Sequence, residues 1–299
     1  MNLYKEQSHN IWKTWALMSF FFALVTALGW AFSYFYNDST FLFIAFFLAI
    51  FMNIFSYWFS DKIVLKLHKA KPVTREEYFD LWNVTENLSI TAGLPMPKLY
   101  VVEESAPNAF ATGRDKNHAV VCVTTGLLSL LDRNELEGVI AHELSHIGNR
   151  DMLLSTVVVV LVGFVAMLSD LFLRSGFLSN RGRNNNAGGA IAIFGIVLAI
   201  LTPIAASLIQ LAVSRKREFL ADASAALLTR YPAGLASALR KISQVREPLR
   251  TANNATAHLF ISNPFGSKAS GLHKLFLTHP PVEERIQALT GKEQDRGII

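Results

Sequence analysis

The stretch His142-Glu143-Leu144-Ser145-His146 has the residue types and the spacing for one kind of chemistry. Histidines four positions apart lie on one face of an α-helix, one turn from each other. Their ring nitrogens can converge on a single zinc ion at ~2.0–2.1 Å. Glu143 is rotated by roughly 100° from His142 and leans over the open side of such a site. There it is placed to take a proton from water whose pKa the metal lowers to about 7. His142 and His146 are therefore expected as metal ligands and Glu143 as the general base. The blander alternative is a surface helix with two solvated histidines. Its surroundings weigh against that. Asp132 and Glu135 form a capping pair that opens a helix, and Leu136, Val139, Ile140, Leu144 and Ile147 give that helix an apolar face.

A catalytic zinc needs a third protein ligand and an open fourth position. Glu218, in the segment SRKREFLADASAA, is the best candidate. His146 lies about six residues before one long apolar run, ~9 Å if helical, and Glu218 about five after another, ~8 Å. A helical hairpin that leaves the level of the site and returns to it brings the two together. Asp222, one turn beyond Glu218, suits a supporting role, accepting the outer N–H of a ligand histidine. Asp151, at the end of the histidine-bearing segment, is a second candidate for that role. The competing reading pairs Glu218 and Asp222 with Arg215 and Arg217 on a solvated face.

The elements that must position these groups are dominated by apolar runs. The chain of 299 residues is 51% hydrophobic and 17% charged, against about 25% charged in a soluble domain, and its mean hydropathy is +0.30. That excludes intrinsic disorder, and the single cysteine, Cys122, excludes an internal disulfide scaffold. The apolar residues collect in four runs: Trp15–Asn37, Leu42–Phe59, Met152–Ser169 and Ala190–Val213. Each is close to the ~20 residues that cross ~30 Å of hydrocarbon. The first two have no polar stripe, and a four-residue turn, Asp38 to Phe41, separates them. Asp170 ends the third, and Pro203 is expected to kink the fourth.

Lys5 and Lys13 precede the first run, the link after it has no basic residue, and Lys62, Lys66, Lys69, Lys71 and Arg75 follow the second. By the positive-inside rule the N-terminus and the chain beyond Ser60 are cytoplasmic. The net charge of +5 is then a membrane-flanking cluster rather than a nucleic-acid surface, which would interleave basic and aromatic residues within a folded domain. Arg174, Arg181 and Arg183 in the Asn/Gly-rich link 174–189 disagree, because parity places that link outside.

The expected architecture is a mainly α integral membrane protein: four hydrophobic helices plus a cytoplasmic α+β catalytic domain with a small sheet. Residues 1–60 form an N-terminal membrane hairpin and 61–151 the first part of the catalytic domain. Residues 152–213 form a second membrane hairpin with a mobile link at 174–189, and 214–299 complete the catalytic domain. Within it, Arg75 to Ala92 has helical spacing, while Lys98–Glu104, Asn108–Thr112 and His118–Thr124 read as strands. Pro280-Pro281 precede a final helix from Val282 to Thr290.

Four segments carry a family resemblance: HELSHIGNRD (His142–Asp151), EFLAD (Glu218–Asp222), PNAFATG (Pro107–Gly113) and THPPVEERI (Thr278–Ile286). With them the chain resembles, over nearly its whole length, the HtpX-type membrane zinc metallopeptidases, gluzincins related to the CAAX prenyl proteases. The resemblance implies a gluzincin-like catalytic domain with one Zn2+ held by His142, His146 and Glu218, with Glu143 as base. It implies cleavage of polypeptides, membrane proteins among them, at the cytoplasmic face of the cell (inner) membrane, in protein quality control and stress response. It also makes Asn108, Ala109, Phe110, Ala111, Thr112 and Gly113 a strand edge that pairs with extended substrate; the alternative is an ordinary core hairpin. His279, in THPP, is then either a stabiliser of the reacting carbonyl oxygen or a cap on the metal, and otherwise a capping residue of the last helix. Two other functions stay open, a prenyl-protein CAAX-type peptidase and a non-catalytic membrane scaffold stabilised by zinc. The intact Glu143 argues against the scaffold, since a structural site closes all four positions and needs no base. The expected partners are polypeptide substrates and the lipid bilayer, with no nucleic acid.

Overall fold

The computed structural model describes residues 3–164, 215–253, 255–266 and 280–291. Helices α1 (Leu3–Tyr36) and α2 (Thr40–Leu67) pack as an antiparallel hairpin. They contain apolar stretches of 27 and 28 residues, Ser8–Tyr34 and Thr40–Leu67, each ~40 Å long and therefore long enough to cross a bilayer. Phe43, Ile44, Phe47, Ile50, Phe51 and Ile54 are exposed on α2, as a lipid-facing surface requires. Aromatic rings line the hairpin along its length, with Trp15 stacked on Tyr57 near one end and Tyr36 beside Phe41 at the other. The turn is tighter than the sequence suggests: α2 already opens at Thr40, whose N–H donates to Asp38. The helix also runs past Phe59, since Asp61, Lys62 and Lys66 can stay helical once outside hydrocarbon.

A four-stranded mixed sheet follows, in the order β1-β2-β4-β3. Its strands are β1 (Lys71–Pro72), β2 (Lys98–Val102), β3 (Ala109–Thr112) and β4 (Val120–Thr124). β2 and β4 run parallel and the other pairs antiparallel. The three expected strands are present with shorter ends, and β1 is an addition too short for a sequence pattern to show. Leu99, Val101, Ala109, Ala111, Val121 and Val123 face one apolar cluster, while Val102, Phe110, Val120 and Cys122 face the other. A sheet covered on both faces needs strands without polar alternation, which these have.

Helix α3 occupies Phe79–Ala92, four residues shorter at its start than its periodicity suggests, and α4 is Thr125–Leu130. Helix α5 (Arg133–Asn149) opens with the expected capping box between Asp132 and Glu135. Leu136, Val139, Ile140, Leu144 and Ile147 are buried against the sheet and its neighbours. Arg150 ends α5 in the left-handed conformation, φ 57°. The chain then turns by 85° into α6, described from Met152 to Phe164. α6 is the start of the third apolar run, and Val157, Val158 and Leu161 on it are fully buried. The rest of that run, the link 174–189 and the fourth run lie outside the described residues.

Beyond them come α7 (Arg215–Thr229), α8 (Pro232–Gln244) and α9 (Val282–Thr290). Gly138 lets α8 approach α5, since a Cβ there would lie 2.6 Å from the Leu235 nitrogen.

Candidate active site

The two histidines of α5 meet α7 in a buried cleft. His142 Nε2 and His146 Nε2 lie 3.1 Å apart. Each is 3.7 Å from a carboxylate oxygen of Glu218, His142 from Oε2 and His146 from Oε1. A tetrahedral ion with ~2.0–2.1 Å bonds separates its ligand atoms by ~3.3–3.4 Å. The three donors bracket that value, and two imidazoles with one carboxylate are a borderline-soft set that suits zinc. The residues therefore fit a metal ion.

The rings are aimed from behind. Asp222 Oδ1 accepts a hydrogen bond from His142 Nδ1 at 2.9 Å, and Asp151 Oδ2 accepts one from His146 Nδ1 at 3.0 Å. With Nδ1 carrying the proton, His142 Nε2 turns a lone pair into the cleft, and His146 Nε2 does the same once its ring gives up its second proton. Both aspartates expected in supporting positions are thus brought to the histidines. Glu218 and Asp222 are 4% and 2% exposed, which removes the alternative of a solvated α7 face.

Burial lowers the pKa of His142 against the pull of Asp222, so this ring is neutral and ready to bind a metal. At His146 burial acts in the same direction, but Asp151, Glu218 and Glu143 together outweigh it and raise the ring to about 10. Glu143 lines the same cavity, and burial raises its carboxyl to about 7, in the range that suits a general base at neutral pH.

β3 is an edge strand and its Ala111 borders the cleft. The Thr124 N–H bonds to the Asn108 carbonyl, so Asn108, Phe110 and Thr112 direct their backbone groups toward β4. Ala109 and Ala111 face the other way. The Ala109 carbonyl is taken by the Ile261 N–H, and the Asn108 side chain bonds to both backbone groups of Ser262. Of the six edge residues singled out in the sequence, Ala111 is thus the strand position left to pair with another chain. Gly113 closes the strand at φ 140°, where a Cβ would clash with the His118 carbonyl. His279 lies outside the described residues.

Three site residues were not singled out from the sequence. Arg285 on α9 is fully buried and clamps Asp222 with both ends of its fork, Nη2–Oδ1 at 2.7 Å and Nε–Oδ2 at 2.8 Å. Its Nη1 also donates to the Ile261 carbonyl at 3.2 Å. The signal was present: Val282, Arg285, Ile286 and Leu289 share one helical stripe, and a charge on an apolar stripe demands a buried partner. His258, whose Nε2 donates to the Ser155 carbonyl at 3.1 Å, and Arg217 line the cavity as well. Neither stands in a pattern that marks it.

An HExxH helix whose rings converge with a glutamate from a second helix is the site of a metallopeptidase. The chain belongs to peptidase family M48, whose sequence model matches residues 77–293. It is 46% identical over 294 residues to a protease HtpX homolog of Caldanaerobacter subterraneus subsp. tengcongensis, covering 96% of this chain and 97% of that one. A protease HtpX homolog of Pyrococcus furiosus is 46% identical over 293 residues, covering 97% of this chain and 99% of its own. The crystal structure of S. mikatae Ste24p is similar in fold, with a TM-score of 0.50 at 19% identity, over 96% of this chain and 67% of that one. The protein is a membrane metalloendopeptidase that works with a metal cofactor.

Proposed function

We propose that the protein is a zinc endopeptidase that cleaves misfolded or damaged membrane proteins at the cytoplasmic face of the cell membrane. The carrying observation is the convergence of His142, His146 and Glu218 in the cavity that Glu143 and Ala111 also line. His142, His146 and Glu218 hold one Zn2+, which when bound polarises the scissile carbonyl and acidifies water. Asp222 and Asp151 keep the two Nε2 atoms aimed. Glu143 accepts a proton at its carboxylate from the attacking water and later delivers it to the leaving amine nitrogen. An extended substrate pairs its backbone with Ala111, a mode that reads shape and not side chains and so tolerates many sequences.

The basic cluster after α2 supports a cytoplasmic catalytic domain and N-terminus, and the apolar length of the third and fourth runs supports a second membrane hairpin. The test is cleavage of casein and of a destabilised membrane protein by the full-length chain in detergent. Cleavage that chelation abolishes and zinc restores supports the reading. Cleavage indifferent to chelation rejects it.

A further inference from the structure

Arg217 stands one residue before Glu218 on the buried face of α7, with Ala221, Asp222 and Ala225. Its side chain lines the same cavity as His142, Glu143, His146 and Glu218. It is 7% exposed, yet its Nε and Nη1 are buried with no hydrogen-bond partner. It forms no ion pair with a carboxylate among the described residues. A guanidinium keeps its charge at any working pH, and arginines this deeply placed are almost always paired. Arg285, in the same core, has Asp222. The side chain of Arg217 instead lines the cavity in which peptide hydrolysis develops a negative charge. The cavity measures about 30 Å³, room for roughly two water-sized groups at ~10–15 Å³ each. A peptide carbonyl oxygen fits such a space.

We propose that Arg217 is a catalytic residue that donates hydrogen bonds to the scissile carbonyl oxygen as it gains negative charge. The proposal rests on the hydrolytic reading of the site. The water oxygen bonds to the carbonyl carbon while Glu143 takes its proton. The π pair moves onto the carbonyl oxygen, to which Arg217 donates. When the C–N bond breaks, that pair re-forms the carbonyl and the nitrogen departs with the proton from Glu143. Arg217 is drawn by the charge of this state more than by the neutral peptide, so it lowers the barrier.

The test uses the full-length protein in detergent with Arg217→Lys, Arg217→Met and Arg217→Ala. The substrate is an internally quenched peptide without acidic side chains and with an amidated C-terminus. Zinc per chain is measured beside kcat and KM, and the affinity of a phosphinic peptide of the same sequence is measured by calorimetry. The expected result for Arg217→Met is unchanged zinc, KM within about twofold and kcat lower by about 10²–10³-fold. Binding of the phosphinic peptide weakens by a similar factor, and added guanidinium ion partly restores Arg217→Ala but not the wild type. Unchanged kcat with a higher KM, or lost zinc with normal turnover per bound zinc, overturns the proposal. Lack of zinc-dependent cleavage by the wild type would instead sink the peptidase reading itself.

Discussion

Asp222 holds His142 and Arg285 at once, its Oδ1 lying 2.9 Å from His142 Nδ1 and 2.7 Å from Arg285 Nη2. One carboxylate therefore links the catalytic helix α5, the ligand-bearing helix α7 and the last helix α9. Burial alone would raise its pKa, but the hydrogen bonds from Arg285 and His142 hold it low, so Asp222 is ionised and can orient the ring.

That linkage predicts strong coupling. Arg285→Met leaves Asp222 with one partner, and Asp222→Ala leaves Arg285 buried and unpaired. Each single change should cost about 3–5 kcal/mol of stability, and the double variant clearly less than the sum. Asp222→Ala should also weaken zinc binding by about 10–100-fold. Denaturant unfolding in detergent and zinc titration measure both; additive losses would disprove the coupling.

Glu143 acts at the reacting water and not on the fold. Glu143→Gln should retain zinc and thermal stability while kcat falls by at least about 10²–10⁴-fold. The base must be ionised to accept a proton. Burial holds its carboxyl near 7 in the metal-free site, and a bound cation pulls that value down. The kcat/KM profile should therefore fall as pH drops, with an acid-side midpoint below about 7. An activity that rises toward acid would reassign the base.

Zinc competes with a proton. In the metal-free site burial works against protonation of His146, but Asp151, Glu218 and Glu143 overcome it and keep the ring charged to about pH 10. Binding must expel that proton, so apparent zinc affinity should strengthen by up to about tenfold per pH unit between about 6 and 9. His142 adds no second proton, since burial keeps it neutral. Isothermal titration in buffers of different ionisation enthalpy counts the released proton, and an affinity flat with pH would contradict the assignment.

Ala111 faces away from β4, so Ala111→Pro removes a free N–H without breaking the ladder. It should lower kcat/KM on extended peptides by about 10–100-fold with zinc content unchanged. Normal kinetics in this variant would free the strand edge from substrate binding.

Much of this site was legible because its signals are local. The i, i+4 histidines, the Asp132–Glu135 cap and the apolar face of α5 are properties of one helix. Glu218 followed from its distance to the fourth apolar run, matched to that of His146 from the third. Arg285 was not legible in the same way. Its place on the Val282, Ile286 and Leu289 stripe asks for a buried partner, but inside the charge run Val-Glu-Glu-Arg nothing names that partner, Asp222, 63 residues away. The partial closure of the β3 edge by Ile261 and Ser262 joins residues about 150 apart, beyond any periodicity. The 85° turn at Arg150 needs a left-handed conformation that sequence favours only at glycine.

His142, His146 and Glu218 would together hold one catalytic zinc beside Glu143. The most direct test is zinc per chain, by elemental analysis of full-length protein purified in detergent, for the wild type, Glu143→Gln and Glu218→Ala. About one zinc is expected in the wild type and in Glu143→Gln, and a large loss in Glu218→Ala. Equal zinc in Glu218→Ala and the wild type would contradict this ligand set.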